Sequence, residues 1–278
     1  MNRFTRTFER LRAEGRCGVF PYLMAGFPSV RASQALAEAA LEAGADGFEI
    51  GVPFSDPLAD GATLQRANSA ALTSGATLDT ALDLARFIRQ RSPETPIALM
   101  SYYNPLRQRG DAAIAANLEQ AEIDAAIVPD LPPEEADALQ RALRARDRAL
   151  VPFLAPTSPA ARVQAVTALD PVFIYCVALV GVTGARQDLS VALADLLRAV
   201  RAVTHAPLVV GFGISRPEHV ARVADLGASG VIVASALADL IERSPDPILA
   251  AREYLAELKA SRAPSARERS GAAAPAPG

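Results

Sequence analysis

Two acids stand where a proton could be moved. Glu49 lies in the run Asp46-Gly47-Phe48-Glu49-Ile50-Gly51, whose composition is that of a short strand, and Asp60 closes the proline-bracketed loop Pro53-Phe54-Ser55-Asp56-Pro57-Leu58-Ala59-Asp60-Gly61. Strand alternation sets Glu49 opposite Phe48 and Ile50, hence inward if those two pack against helices. A carboxylate in that position is desolvated, and its pKa rises toward neutrality, as suits a group that both gives and takes a proton. A second carboxylate in a wetter place can then stabilise charge. Plainer roles remain open at this point: a strand-end glutamate in contact with water, and an aspartate capping the helix that starts at Ala62 and Thr63.

A second group of residues suits an anion. Gly181-Val182-Thr183-Gly184-Ala185-Arg186, Gly211-Phe212-Gly213-Ile214-Ser215 and Ala234-Ser235 each follow a strand-like run, and the last opens a helix. Glycine lets the backbone approach a phosphate closely, and the N–H groups of a first helical turn supply donors with a favourable dipole. Any one of these glycines also fits an ordinary tight turn. Their conjunction after three successive strands points to phosphate.

Composition removes several alternatives. The single lysine is Lys259 and the two histidines are His205 and His219, so a Schiff-base aldolase or a pyridoxal phosphate enzyme lacks its pocket lysine, and a histidine metal cluster is disfavoured. No metal site is expected. Cys17 and Cys176 lie far apart without ligand-like spacing. His205 reads as a surface loop residue, His219 as a helix-face residue and Cys176 as core. A net charge of -3 gives no reason to seek nucleic acid. The N-terminal stretch fits an amphipathic helix rather than a signal peptide, and no apolar run reaches membrane-spanning length, so the cytoplasm is the expected location.

The elements that must position these residues repeat. Eight β-type runs are predicted: 18–23, 46–51, 97–101, 125–129, 149–154, 172–177, 208–211 and 230–233. Helical spacing follows over 32–43, 76–91, 112–120, 134–146, 159–169, 192–203 and 217–226. An open doubly wound sheet uses the same units, but their regularity favours a single α/β domain, a (β/α)8 TIM barrel over residues 1–260 with an extra N-terminal helix. The Ala/Pro-rich stretch 261–278 is expected to be a disordered tail outside the fold.

With those motifs in hand, the chain closely resembles the tryptophan synthase α subunit family. The matching segments are Phe48 to Gly61, Ser101-Tyr102-Tyr103-Asn104-Pro105, Val128-Pro129-Asp130-Leu131-Pro132, Gly181-Val182-Thr183-Gly184 and Gly211 to Ser215. The resemblance implies retro-aldol cleavage of indole-3-glycerol phosphate to indole and glyceraldehyde 3-phosphate in tryptophan biosynthesis, with Glu49 and Asp60 catalytic. It implies Tyr22, Met100 and Tyr175 at the substrate, Thr183 and Gly184 in a mobile loop, and Gly211, Phe212, Gly213, Ala234 and Ser235 around the phosphate. It further implies a β subunit docked on the Asp56 and Asn104 loops in an α2β2 heterotetramer, with pyridoxal phosphate only in that partner and no cofactor in this chain. Two departures stand out: Ala234 where many relatives have glycine, and Met24-Ala25-Gly26-Phe27-Pro28 for the more frequent Thr-Ala-Gly-Asp-Pro. A partner-independent indole-releasing lyase, a phosphoribosyl-type isomerase and a catalytically idle regulatory homologue are the competing expectations.

Overall fold

The protein is described by a computed structural model covering residues 1–177, 191–211 and 213–260. Among the described residues the strands are β1 (Gly18–Met24), β2 (Phe48–Gly51), β3 (Ile97–Met100), β4 (Ala125–Ile127), β5 (Ala149–Val151), β6 (Phe153–Leu154), β7 (Ile174–Val177), β8 (Leu208–Gly211) and β9 (Gly230–Val233). Every pairing is parallel, in the order β5-β4-β3-β2-β1-β9-β8-β7-β6. The two ends of that order are consecutive in the chain, separated only by Pro152. One extended stretch therefore pairs with β4 along its first part and with β7 along its second, and the sheet closes into a barrel. The predicted fifth strand is thus cut in two, because proline has no N–H for a ladder; its carbonyl still accepts from Tyr175 N at 2.9 Å.

The helices are α1 (Arg3–Ala13), α2 (Val30–Glu42), α3 (Ala62–Thr73), α4 (Leu78–Arg91), α5 (Tyr103–Arg109), α6 (Asp111–Gln120), α7 (Asp137–Arg144), α8 (Ala160–Thr167), α9 (Val191–Arg201), α10 (Pro217–Asp225), α11 (Ser235–Arg243) and α12 (Pro247–Ala260). The periodic stretches all became helices. The predicted start at Glu134 was too early: turns Glu135 N to Pro132 O and Ala136 N to Pro133 O occupy that segment, and α7 begins only at Asp137.

The N-terminal ends of the strands are closed by α1. Its Phe4 and Phe8 reach Phe20 of β1 and Phe173 just before β7, with ring centroids 5.1 to 6.1 Å apart. Each buried ring contributes about 1.5–3 kcal/mol by leaving water. Two buried aspartates fasten this end. Asp46 accepts from Val19 N (3.0 Å), Lys259 Nζ (2.7 Å), Arg10 and Arg16. Asp124 accepts from Ile97 N (2.9 Å), Arg3 (3.0 Å) and Arg89 (3.1 Å). The first and last helices are thereby tied to the strand starts, leaving the opposite ends for chemistry.

Candidate active site

Gly47 and Gly51 flank Glu49 on its face of β2. A Cβ on Gly47 would strike the Phe20 ring, and one on Gly51 the Tyr22 hydroxyl. Phe20 fills the barrel, so Glu49, between two positions that meet inward side chains of β1, also points inside. The strand-end-in-water alternative fails: Glu49 is 4% exposed. Its Oε2 finds no hydrogen-bond partner among the described residues. Desolvation first, and the nearby Asp60 charge second, push its pKa up to about 8.

Asp60 is 7% exposed. It does not cap α3: the N-cap is Gly61, with no side-chain hydrogen bond there. The loop folds back instead, fixed by Asp60 N to Pro57 O (3.0 Å), so the carboxylate comes near Glu49 and Tyr22. Burial raises its pKa to about 6, while hydrogen bonds from Tyr102 and Asn68 hold it down. Asn68 Nδ2 donates to Oδ2 at 2.9 Å. The two acids thus occupy unlike environments, one buried with an oxygen that no described residue bonds, the other hydrogen-bonded.

Tyr22 and Tyr175 stand beside the acids, both buried, with phenols pushed well above their ordinary range by desolvation. Tyr175 stacks on Phe153 at 4.8 Å, and its hydroxyl crowds Gly211, where a Cβ would collide with it. Met100 ends β3 in register with Gly51. Gly213 adopts φ 79°, a left-handed conformation that glycine takes freely. Ala234 is the N-cap of α11 at φ -113°, outside the left-handed region that favours glycine, and Ser235 begins the helix. Thr183, Gly184 and Phe212 lie outside the described residues.

Asp56 is exposed on the same loop as Asp60, next to Leu58, which is 92% exposed. Asn104 is exposed in α5, whose first N–H, that of Tyr103, is bonded by Asp130 at 2.8 Å. His219 lies on a helix face as expected, the buried face of α10. It is 8% exposed, and its Nδ1 accepts from Ser215 N at 3.3 Å, which braces the glycine turn after β8. Cys176 is core. Among the described residues no group of three or more metal-binding side chains is assembled, and no helix is long and apolar enough to cross a membrane.

Asn68 and Tyr102 were not singled out in the sequence. Asn68 is the one polar member of the buried stripe Leu64, Ala67, Asn68, Ala71 on α3, and an amide on an apolar face is a signal that spacing alone could have raised.

A barrel with two inward acids, tyrosines over strand-end glycines and a helix start after its last strand has close counterparts. The family model described as tryptophan synthase alpha chain matches residues 8–266. The tryptophan synthase alpha chain of Roseiflexus sp. (strain RS-1) is 50% identical over 245 residues, 88% of this chain and 94% of that one. That of Chloroflexus aurantiacus is 48% identical over 260 residues, 93% and 97% of the two chains. Among solved structures, tryptophan synthase subunit alpha from Legionella pneumophila str. Paris superposes with a TM-score of 0.85 at 34% identity, covering 94% of this chain and 98% of that one. A chain of M. tuberculosis tryptophan synthase in its aminoacrylate-bound form gives 0.85 at 32% identity, covering 94% and all of it. With its sequence, its barrel and its acid loop all in agreement, the chain belongs to the tryptophan synthase alpha chain family.

Proposed function

We propose that this chain cleaves indole-3-glycerol phosphate by general acid–base catalysis, with Glu49 and Asp60 in distinct roles. Burial keeps Glu49 protonated near neutral pH, and in that state it gives its proton to the indole C3 carbon. The ring becomes an iminium. The resulting carboxylate then takes the proton of the adjacent glycerol hydroxyl, the bond from C3 to the glycerol carbon breaks, and its electrons return to the iminium. Indole and glyceraldehyde 3-phosphate leave with Glu49 protonated again, so no lysine, metal or redox partner enters the balance. Asp60, held ionised by Tyr102 and Asn68, accepts the indole N–H and offsets the positive charge of the ring.

The observation that carries this reading is the contrast in one pocket between a neutral-leaning Glu49, whose Oε2 has no partner among the described residues, and a hydrogen-bonded Asp60. Tyr22, Met100 and Tyr175 wall the indole end. Gly211, Phe212, Gly213, Ala234 and Ser235 supply backbone donors for the phosphate, while Thr183 and Gly184 close over it. A β subunit docks on the Asp56 loop and on Asn104, which lies at the start of α5 rather than in a loop, and the exposure of Leu58 between Asp56 and Asp60 supports that surface; the assembly is α2β2, with pyridoxal phosphate held by the partner alone. The test is release of glyceraldehyde 3-phosphate from indole-3-glycerol phosphate, alone and with a tryptophan synthase β subunit. Turnover that rises with the partner and vanishes in Glu49→Gln is expected. Full turnover in Glu49→Gln would refute the assignment.

A further inference from the structure

The acid loop is joined to the helix that follows it through one side chain. Asn68 is 2% exposed on α3. Its Oδ1 accepts from Phe54 N at 3.0 Å, near the loop's start, and its Nδ2 donates to Asp60 Oδ2 at 2.9 Å, at the loop's end. The orientation of this amide is dictated by chemistry: a backbone N–H can only donate, so the oxygen must face Phe54, and the NH2 is left facing a carboxylate that can only accept. Gln65, one turn earlier, donates to the Asp60 carbonyl at 2.9 Å. On the far side the Tyr102 hydroxyl receives Ala59 N at 2.8 Å and also bonds the Asp60 carboxyl. The Tyr102 ring lies against Phe54 at 5.4 Å.

We propose that Asn68 is a positioning residue for the reaction: its amide ties the two ends of the acid loop together and fixes the Asp60 carboxylate, aimed and ionised, toward the barrel interior. The proposal rests on the reading that Asp60 works as a carboxylate. Among the described residues Asn68 supplies the one side-chain N–H to that carboxylate, and the titratable groups around it there, Tyr22 on β1, Glu49 on β2, Tyr102 after β3 and Tyr175 on β7, include no cation. Arg66 on α3 is engaged outward with Glu242 and Asp239 of α11. A hydrogen bond donated to a carboxylate favours its charged form, so removing it makes Asp60 easier to protonate.

The direction of change separates this role from a merely structural one. If Asn68 only kept the loop from melting, its loss would let water reach Asp60 and make it harder to protonate. If Asn68 holds the charge, its loss acts the opposite way. The test uses Asn68→Ala and Asn68→Asp; the second keeps the acceptor for Phe54 N while replacing the donor to Asp60 with a second carboxylate, so the loop stays anchored if the alanine variant does not fold. The 13C carboxyl resonance of Asp60, assigned with Asp60→Asn, is titrated in the ligand-free protein, and the pH dependence of kcat/KM is followed in parallel. We expect the midpoint of Asp60 and the acid limb of kcat/KM both to rise by roughly one pH unit, with a loss of kcat/KM of roughly tenfold near pH 5, below both midpoints, that shrinks above neutrality. A midpoint that is unchanged or lowered overturns the proposal. Absence of turnover in the parent protein overturns the reaction assignment instead, and the titration still decides the role of Asn68.

Discussion

The two ends of the barrel each bury a pair of carboxylates, and they treat them oppositely. At the N-terminal ends of the strands, Asp46 and Asp124 each accept a backbone N–H and are surrounded by arginine or lysine from α1, α4, α12 and the turn after α1. At the other end, Glu49 and Asp60 are nearly as deeply buried, yet among the described residues no salt bridge reaches either of them, and one oxygen of Glu49 has no partner at all. Compensated charge holds the chain ends to the barrel. Uncompensated charge leaves groups whose protonation can change near neutrality, which is what a proton shuttle requires.

The sharpest way to break this contrast is Glu49→Gln. It removes the shuttle without changing shape, and turnover is expected to fall by about 100- to 10,000-fold. A group whose pKa is raised by folding contributes stability below its unfolded value and loses it as pH climbs toward the folded value. Glu49 is raised from 4.5 to about 8, so it weakens the fold across that window, and the glutamine protein should melt no lower than its parent at neutral pH.

At the opposite end Asp124→Ala should do the reverse. It strands two buried arginine contacts and the Ile97 N–H, a loss of about 3–5 kcal/mol, read as a fall in Tm with no displacement of the limbs of the kcat/KM profile. Gly51→Ala sharpens the picture at the site. Its methyl group meets the Tyr22 hydroxyl, an overpacking cost of about 1–3 kcal/mol, and kcat/KM should fall as the tyrosine is displaced. The mildest change is Lys259→Met, which leaves Asp46 with Arg10, Arg16 and Val19 N. Urea unfolding should show about 1 kcal/mol lost and turnover unchanged.

The strands and helices were legible because their periods are local: β2 falls within the run 46–51, and the amphipathic N-terminal stretch forms α1, which buries Phe4, Phe8 and Leu11. The interruption at Pro152 and the late start of α7 were missed because they depend on a ladder N–H and on turns after Pro132 and Pro133. The acids themselves were visible, but their states were not. Whether Asp60 caps a helix or faces the pocket hangs on the fold of the Pro57 turn and on Asn68, a residue polar in type but apolar in position. The fastening of Asp46 by Lys259 joins residues at opposite ends of the chain, and no spacing rule reaches that far.

The central claim, that the pocket works with Asp60 ionised and Glu49 protonated, is tested most directly by kcat/KM for indole-3-glycerol phosphate cleavage across pH 5 to 9. With Asp60 at about 6 and Glu49 at about 8, activity should rise through an acid limb near the first value and fall through a basic limb near the second, the two limbs belonging to the coupled pair. A profile without a basic limb, or one that Glu49→Gln leaves intact in height and shape, would contradict the account.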